Sequence, residues 1–139
     1  GHQSMADFYR ADARTTSSHV TADHLWRQTR FTPADIDVAQ IYDAFSPLIL
    51  FSLEAYGFVP RGQAAAFIRD GALRPQGALP VNTAGGSLSE AYLHGLNLVT
   101  EAVRQLRGAA TTQIADARLA LVTGCDATPN GALLLRRAA

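Results

Sequence analysis

No lysine occurs among the 139 residues, and all twelve basic residues are arginine. Schiff-base chemistry needs a lysine amine, so this chain cannot perform it. A single cysteine, Cys125, excludes an internal disulfide and fits a reducing, cytoplasmic compartment. No signal-peptide pattern is present, and apolar runs such as Leu48–Phe51 fall far short of the ~20 residues that span a bilayer. The net charge is zero, and no basic cluster stands along the chain to neutralise phosphates, which argues against a nucleic-acid partner. Of the four histidines only His94 lies near the loops discussed below, so no metal-ligand set is expected. What is present is 47% apolar and 17% charged residues, the composition of one globular domain with a proper core. Residues 1–20 read as an N-terminal arm, with Gly1 to Met5 resembling a cloning scar, and residues 21–139 read as the domain.

The stretch from Pro80 to Gly108 organises the rest. Leu79 and Val81 suggest a short strand that leads into Asn82-Thr83 and then the pair Gly85-Gly86. Ser87 with Glu90 has capping-box spacing, which predicts a helix of about five turns from Ser87 to Gly108. Leu88, Ala91, Tyr92, Leu96, Val99, Ala102, Val103 and Leu106 repeat at helical spacing and predict its buried face. A strand, a glycine turn and a helix N-terminus in series form an architecture suited to a polar ligand.

Elsewhere, Thr21 to Arg30 reads as a helix, and Thr32 to Asp35 as one short turn. Ile36 to Phe45 reads as a strand with a polar end at Tyr42-Asp43. Ser46-Pro47 opens a helix that runs to Tyr56, and Arg61 to Arg69 is another short one. Leu119 to Thr123 and Ala132 to Leu135 are the last strands, expected to pair antiparallel across a short loop. The order β-αα-β-α-β-β predicts an α/β fold, with a mixed, mostly parallel sheet of about five strands or fewer covered by helices. Ligands in such sheets sit beyond the carboxyl ends of the strands, where Tyr42, Tyr92, His94 and Cys125 would converge.

Three loops carry a family resemblance: Tyr42-Asp43-Ala44-Phe45, Asn82-Thr83-Ala84-Gly85-Gly86 with Ala91-Tyr92-Leu93, and Cys125-Asp126-Ala127. The chain resembles the C-terminal domain of the thiolase superfamily, most closely its sterol-carrier-protein-type branch. In thiolases these loops read Asn-Glu-Ala-Phe, Asn-x-x-Gly-Gly followed by Gly-His-Pro, and Cys-x-Gly. Tyr42 therefore stands where thiolases have the water-holding Asn, and Tyr92 where they have the His. Cys125 aligns with the acid/base cysteine, while Ala127 replaces the glycine beyond it. The phrases IYDAFSP, LEAYGF, LPVNTAGG, SEAYLHG and TEAVRQLRG are similar to a subgroup that acts as aldolases.

The resemblance implies retro-aldol cleavage of a β-hydroxyacyl-CoA thioester on a sterol side chain, giving a ketosteroid and propionyl-CoA. It implies Tyr42 and Tyr92 as the acid/base pair; Cys125 and His94 are the further catalytic candidates, and Asp43, Asn82, Gly85 and Gly86 are expected around the substrate. An ordinary tyrosine pKa of about 10 makes a poor base, so the pair would need a lowered pKa or a relay through His94 or Asp43. No cofactor is implied beyond the CoA thioester itself as substrate. The implied partners are the missing N-terminal thiolase half, a small OB-fold acyl-CoA-binding protein, and further copies of the chain through an exposed apolar face. The domain alone is expected to be inactive. Two alternatives stand beside the aldolase: an acyl-CoA thiolase using Cys125, and a non-catalytic acyl-CoA or lipid-binding module. On residues alone, Tyr42 and Tyr92 could equally be packing residues, Cys125 a buried hydrophobe, and Asp43 a loop-holding group.

Overall fold

The computed structural model describes residue 12 and residues 15–90, 93–124 and 130–138. Its elements are α1 (Ser17–Arg27), a 3-10 turn (Pro33–Asp35), β1 (Val38–Gln40), α2 (Pro47–Ala55), α3 (Ala64–Arg69), α4 (Leu96–Arg107), β2 (Leu119–Thr123) and β3 (Ala132–Arg136). The sheet order is β1-β2-β3, parallel between β1 and β2 and antiparallel between β2 and β3. The fold is thus an α/β arrangement on a small mixed sheet. Val81 joins the free edge of β1 only as a single parallel bridge to Ala39, so the strand expected at 79–81 is a stub.

Alternation along the strands sends side chains to two cores. Ala39, Ile41, Leu119 and Leu121 face Leu53, Tyr56 and Ala22 beneath α1 and α2. Val38, Tyr42, Ala120 and Val122 face Leu98, Ala102 and Leu106 of α4. Every residue of β2 is buried, as expected for a strand covered on both faces.

Three expectations need correction. Helix α1 begins at Ser17, four residues before Thr21, and ends at Arg27. Ser17 and Ser18 are buried because Asn130 Nδ2 donates to both hydroxyls, at 3.0 and 3.2 Å. A polar run that reads as a loop is here a helix start satisfied by a distant side chain. The strand expected over 36–45 contracts to three residues.

The largest correction concerns α4, which starts at Leu96 rather than Ser87. Ser87 caps nothing: its hydroxyl is buried without a partner among the described residues. Residues 87–90 form only an isolated turn, with the N–H of Ser89 and of Glu90 donating to Gly86 O. The N-cap is Gly95, at φ +90, where a Cβ would lie 3.0 Å from the Tyr42 ring. No helix among the described residues is long and apolar enough to cross a membrane.

Candidate functional site

Two parallel-edge interactions build the loop beside Tyr42. The backbone N–H of Asn82 donates to Ala39 O at 3.0 Å, which extends the bridge from Val81. Asn82 then turns to φ +50 and substitutes its side-chain amide for the next peptide. Its Oδ1 accepts from Ile41 N at 2.7 Å and its Nδ2 donates to Ile41 O at 2.9 Å. An asparagine suits this position because its amide carries the donor and acceptor of a peptide and tolerates the left-handed region.

Gly86, at φ +69, brings backbone against Asp43. A Cβ there would sit 2.2 Å from Asp43 Oδ2 and 2.7 Å from Asn82 Nδ2. Asp43 is only 4% exposed, and its carboxylate accepts from Ser87 N at 2.7 Å and Leu88 N at 3.4 Å. The amides that would have cradled an external anion are therefore held by an internal carboxylate. Gly85 is similarly close-packed, with Ser89 above it. Asn82, Asp43, Gly85 and Gly86 thus form one braced unit on the Val81 side of Tyr42.

Tyr42 is 5% exposed and held at the end of β1 from two directions. Its N–H donates to Thr123 Oγ1 at 3.0 Å, which ties the ends of β1 and β2 together. Its ring packs under Gly95. Gly95 also borders a cleft of about 360 Å³, lined by His94, Gly95, Leu96, Val99, Val122, Thr123, Gly124, Gly131, Ala132 and Leu133 but not by Tyr42 itself. It opens at the carboxyl end of β2, where α/β sheets bind ligands. Its walls are mostly apolar, with His94 and Thr123 as polar points.

His94 is exposed and adopts φ +49, a conformation uncommon for a residue with a side chain. Tyr92 and Cys125 lie outside the described residues, although Gly124, which precedes Cys125, lines the cleft. The structure therefore brings Tyr42, His94, Thr123 and the Asn82–Gly86 brace around one strand end. Thr123 and Gly95 were missed in the sequence. A threonine closing an apolar strand is a faint signal, and Gly95 was hidden inside an apparently continuous helix. A larger concavity, about 420 Å³ beside His19, Trp26 and Tyr56, contains none of the candidate residues. Among the described residues no group of three His, Cys, Asp or Glu gathers to hold a metal.

A polar network backs the brace. Thr83 Oγ1 donates to Glu101 Oε1 at 2.5 Å and accepts from Gln40 Nε2 and Gln105 Nε2 at 3.0 and 2.9 Å. It locks the 82–86 loop to α4.

Comparison with known proteins places this geometry. The profile of the "Thiolase C-terminal domain-like" family matches residues 1–134. The chain belongs to this thiolase family. Within it, the chain is 42% identical over 132 residues to the 17-hydroxy-3-oxo-4-pregnene-20-carboxyl-CoA lyase of Mycobacterium tuberculosis, covering 94% of this chain and 34% of that protein. It is equally 42% identical, over the same length and shares, to a steroid side-chain-cleaving aldolase of Thermomonospora curvata. A solved structure described as an "Ltp2-ChsH2(DUF35) aldolase" superposes with a TM-score of 0.89 at 41% identity, covering 94% of this chain and 34% of that one. This thiolase-family chain thus spans about a third of the relatives it matches.

Proposed function

We propose that the chain is the C-terminal part of a thiolase-like retro-aldolase that cleaves a β-hydroxyacyl-CoA thioester on a sterol side chain to a ketosteroid and propionyl-CoA. The observation that carries this reading is the 42% identity to two steroid side-chain enzymes, across 94% of the chain. The geometry agrees with it, since a tyrosine is pinned by Thr123 and Gly95 beside an apolar cleft.

In the proposed reaction a base takes the β-hydroxyl proton, the Cα–Cβ bond breaks, and the oxygen becomes the ketone carbonyl. The bonding pair passes into a thioester enolate, which is protonated at Cα to release propionyl-CoA. One proton leaves and one returns, so no redox cofactor is needed and the CoA thioester is the substrate. Tyr42 and Tyr92 form the acid/base pair. A phenol has an ordinary pKa of about 10, so the base of the pair works through a relay, for which His94 on the cleft wall is the group in place. Asn82, Asp43, Gly85 and Gly86 hold the loop, and Cys125 follows Gly124 in the sequence.

The N-terminal half of the longer protein completes the site. Phe45, Leu88, Leu93, Leu96 and Leu133 are 71, 60, 53, 64 and 48% exposed, an apolar face suited to that half or, in its absence, to another copy of the chain. The solved relative's description pairs two proteins, which supports a small OB-fold partner. We assign the assembly to the cytoplasm, from the lone cysteine.

The experiment is a product assay on the longer protein with its partner. Ketosteroid and propionyl-CoA should form without added CoA, and Tyr42→Phe and Tyr92→Phe should each lower kcat by about 10²-fold or more. Full activity in both variants overturns the tyrosine assignment. Dependence on free CoA with loss of activity in Cys125→Ala identifies a thiolase instead. Tight acyl-CoA binding with no product identifies a binding module.

A further inference from the structure

The sequence shows no long basic run, yet strand pairing assembles one at the end of the sheet away from the cleft. Leu119 pairs with Arg136, and the N–H of Arg137 donates to Arg118 O at 2.8 Å. That register puts Arg118 directly across from Arg137, where like charges oppose strand pairing. Arg118, Arg136 and Arg137, all exposed, line a concavity of about 410 Å³ with Ala138. Among the described residues none of the three has a carboxylate within ion-pair distance, whereas Arg27 pairs with Asp23 and Arg61 with Asp12. The carboxylate in the same corner, Asp37, is turned to peptide groups: its Oδ2 accepts from the N–H of Arg118 and of Leu119, both at 2.8 Å.

We propose that this corner binds a small soluble ligand carrying linked phosphate groups. Three guanidiniums offer planar donor forks that match phosphate oxygens and balance the roughly threefold charge of a diphosphate. The concavity has the volume of a small-molecule site rather than the breadth of a protein interface. The five residues of β2 place it about 17 Å from the cleft, so the site stands independently of the proposed reaction.

The test titrates the full chain with inorganic pyrophosphate and with ADP by calorimetry, using adenosine as the phosphate-free control. Circular dichroism on each variant verifies that it is folded. Saturable binding of both phosphates but not adenosine is expected, weakening at least tenfold in Arg118→Gln/Arg137→Gln and unchanged in Arg27→Gln/Arg61→Gln. Arg136→Gln alone should weaken it by a smaller factor. Equal weakening in both double variants, or no saturation up to about 10 mM ligand, overturns the proposal. So does retention on phosphatidic-acid vesicles that pyrophosphate does not displace, since that places the phosphate on a membrane.

Discussion

Helix α4 turns Leu98, Ala102 and Leu106 into the core, but the two flanks of that stripe are buried unequally. Asn97, Glu101 and Gln105 are 7, 3 and 1% exposed, while Leu96 on the same helix is 64% exposed and Val99 and Val103 are half-buried. An amphipathic helix ordinarily turns its apolar stripe inward. Here the polar seam is tolerated because each member meets partners. Asn97 Nδ2 donates to Glu90 Oε2 at 2.9 Å, Glu101 accepts from Thr83 and Gln105, and Gln105 Nε2 also donates to Thr112 O at 2.7 Å. Buried polar groups cost little once hydrogen-bonded. On the other flank Val99 packs partly against the core, while Leu96 stays exposed among the described residues. The difference teaches that one flank of α4 is satisfied within this domain while the other leaves Leu96 in solvent.

Substitutions can break the polar side of that comparison. The largest expected effect is Gly86→Ala, which forces a Cβ onto Asp43 at a left-handed φ and should destabilise the chain by about 3 kcal/mol or more in urea unfolding. Glu101→Ala removes the acceptor of the Thr83 hydroxyl and one of the acceptors around Gln105 Nε2 and should cost about 2 kcal/mol, with Glu101→Gln costing clearly less because an acceptor remains. Equal costs for the two would show that the seam is ordinary packing.

The apolar side predicts smaller changes. Leu96→Ser should alter this chain's stability by no more than about 0.5 kcal/mol while reducing self-association in sedimentation. In the longer protein the same substitution should be clearly destabilising. A large loss in the short chain would mean that Leu96 already has a partner.

The smallest effect lies outside both faces. The backbone N–H of Thr32, then its hydroxyl, hold the Asp35 carboxyl below its ordinary value of 3.8. A carboxyl lowered by folding stabilises fully above its unfolded value, and that contribution disappears as pH falls through the folded one. Asp35→Asn should therefore remove a slight acid-side dependence of the urea midpoint and leave neutral pH nearly unaffected.

The sequence was legible where a signal and its consequence lie close together. Pro47 at the first position of α2, Gly108 ending α4, and the two apolar runs that pair as β2 and β3 were read correctly. The family, and with it the three loops, was legible through motif spacing. The start of α4 was not, because Leu88 and Tyr92 continue the helical period upstream of Gly95 and a period carries no mark of where the backbone leaves it. The tri-arginine corner was invisible because Arg118 and Arg137 meet only after β2 and β3 pair.

On its own, the sequence determined the class of fold and most helix and strand positions, since these follow from neighbours within a few residues. Only tertiary structure decided that Asp43 takes the amides of Ser87 and Leu88, that Asn82 completes the edge of β1, and that α4 buries a polar seam beside its apolar stripe. These outcomes depend on partners 44, 41 and 18 residues apart, Thr83–Glu101 being the nearest pair. Hydrogen-bonding capacity is written in a residue's chemistry, but the group that satisfies it is chosen by which backbone the fold brings within 3 Å.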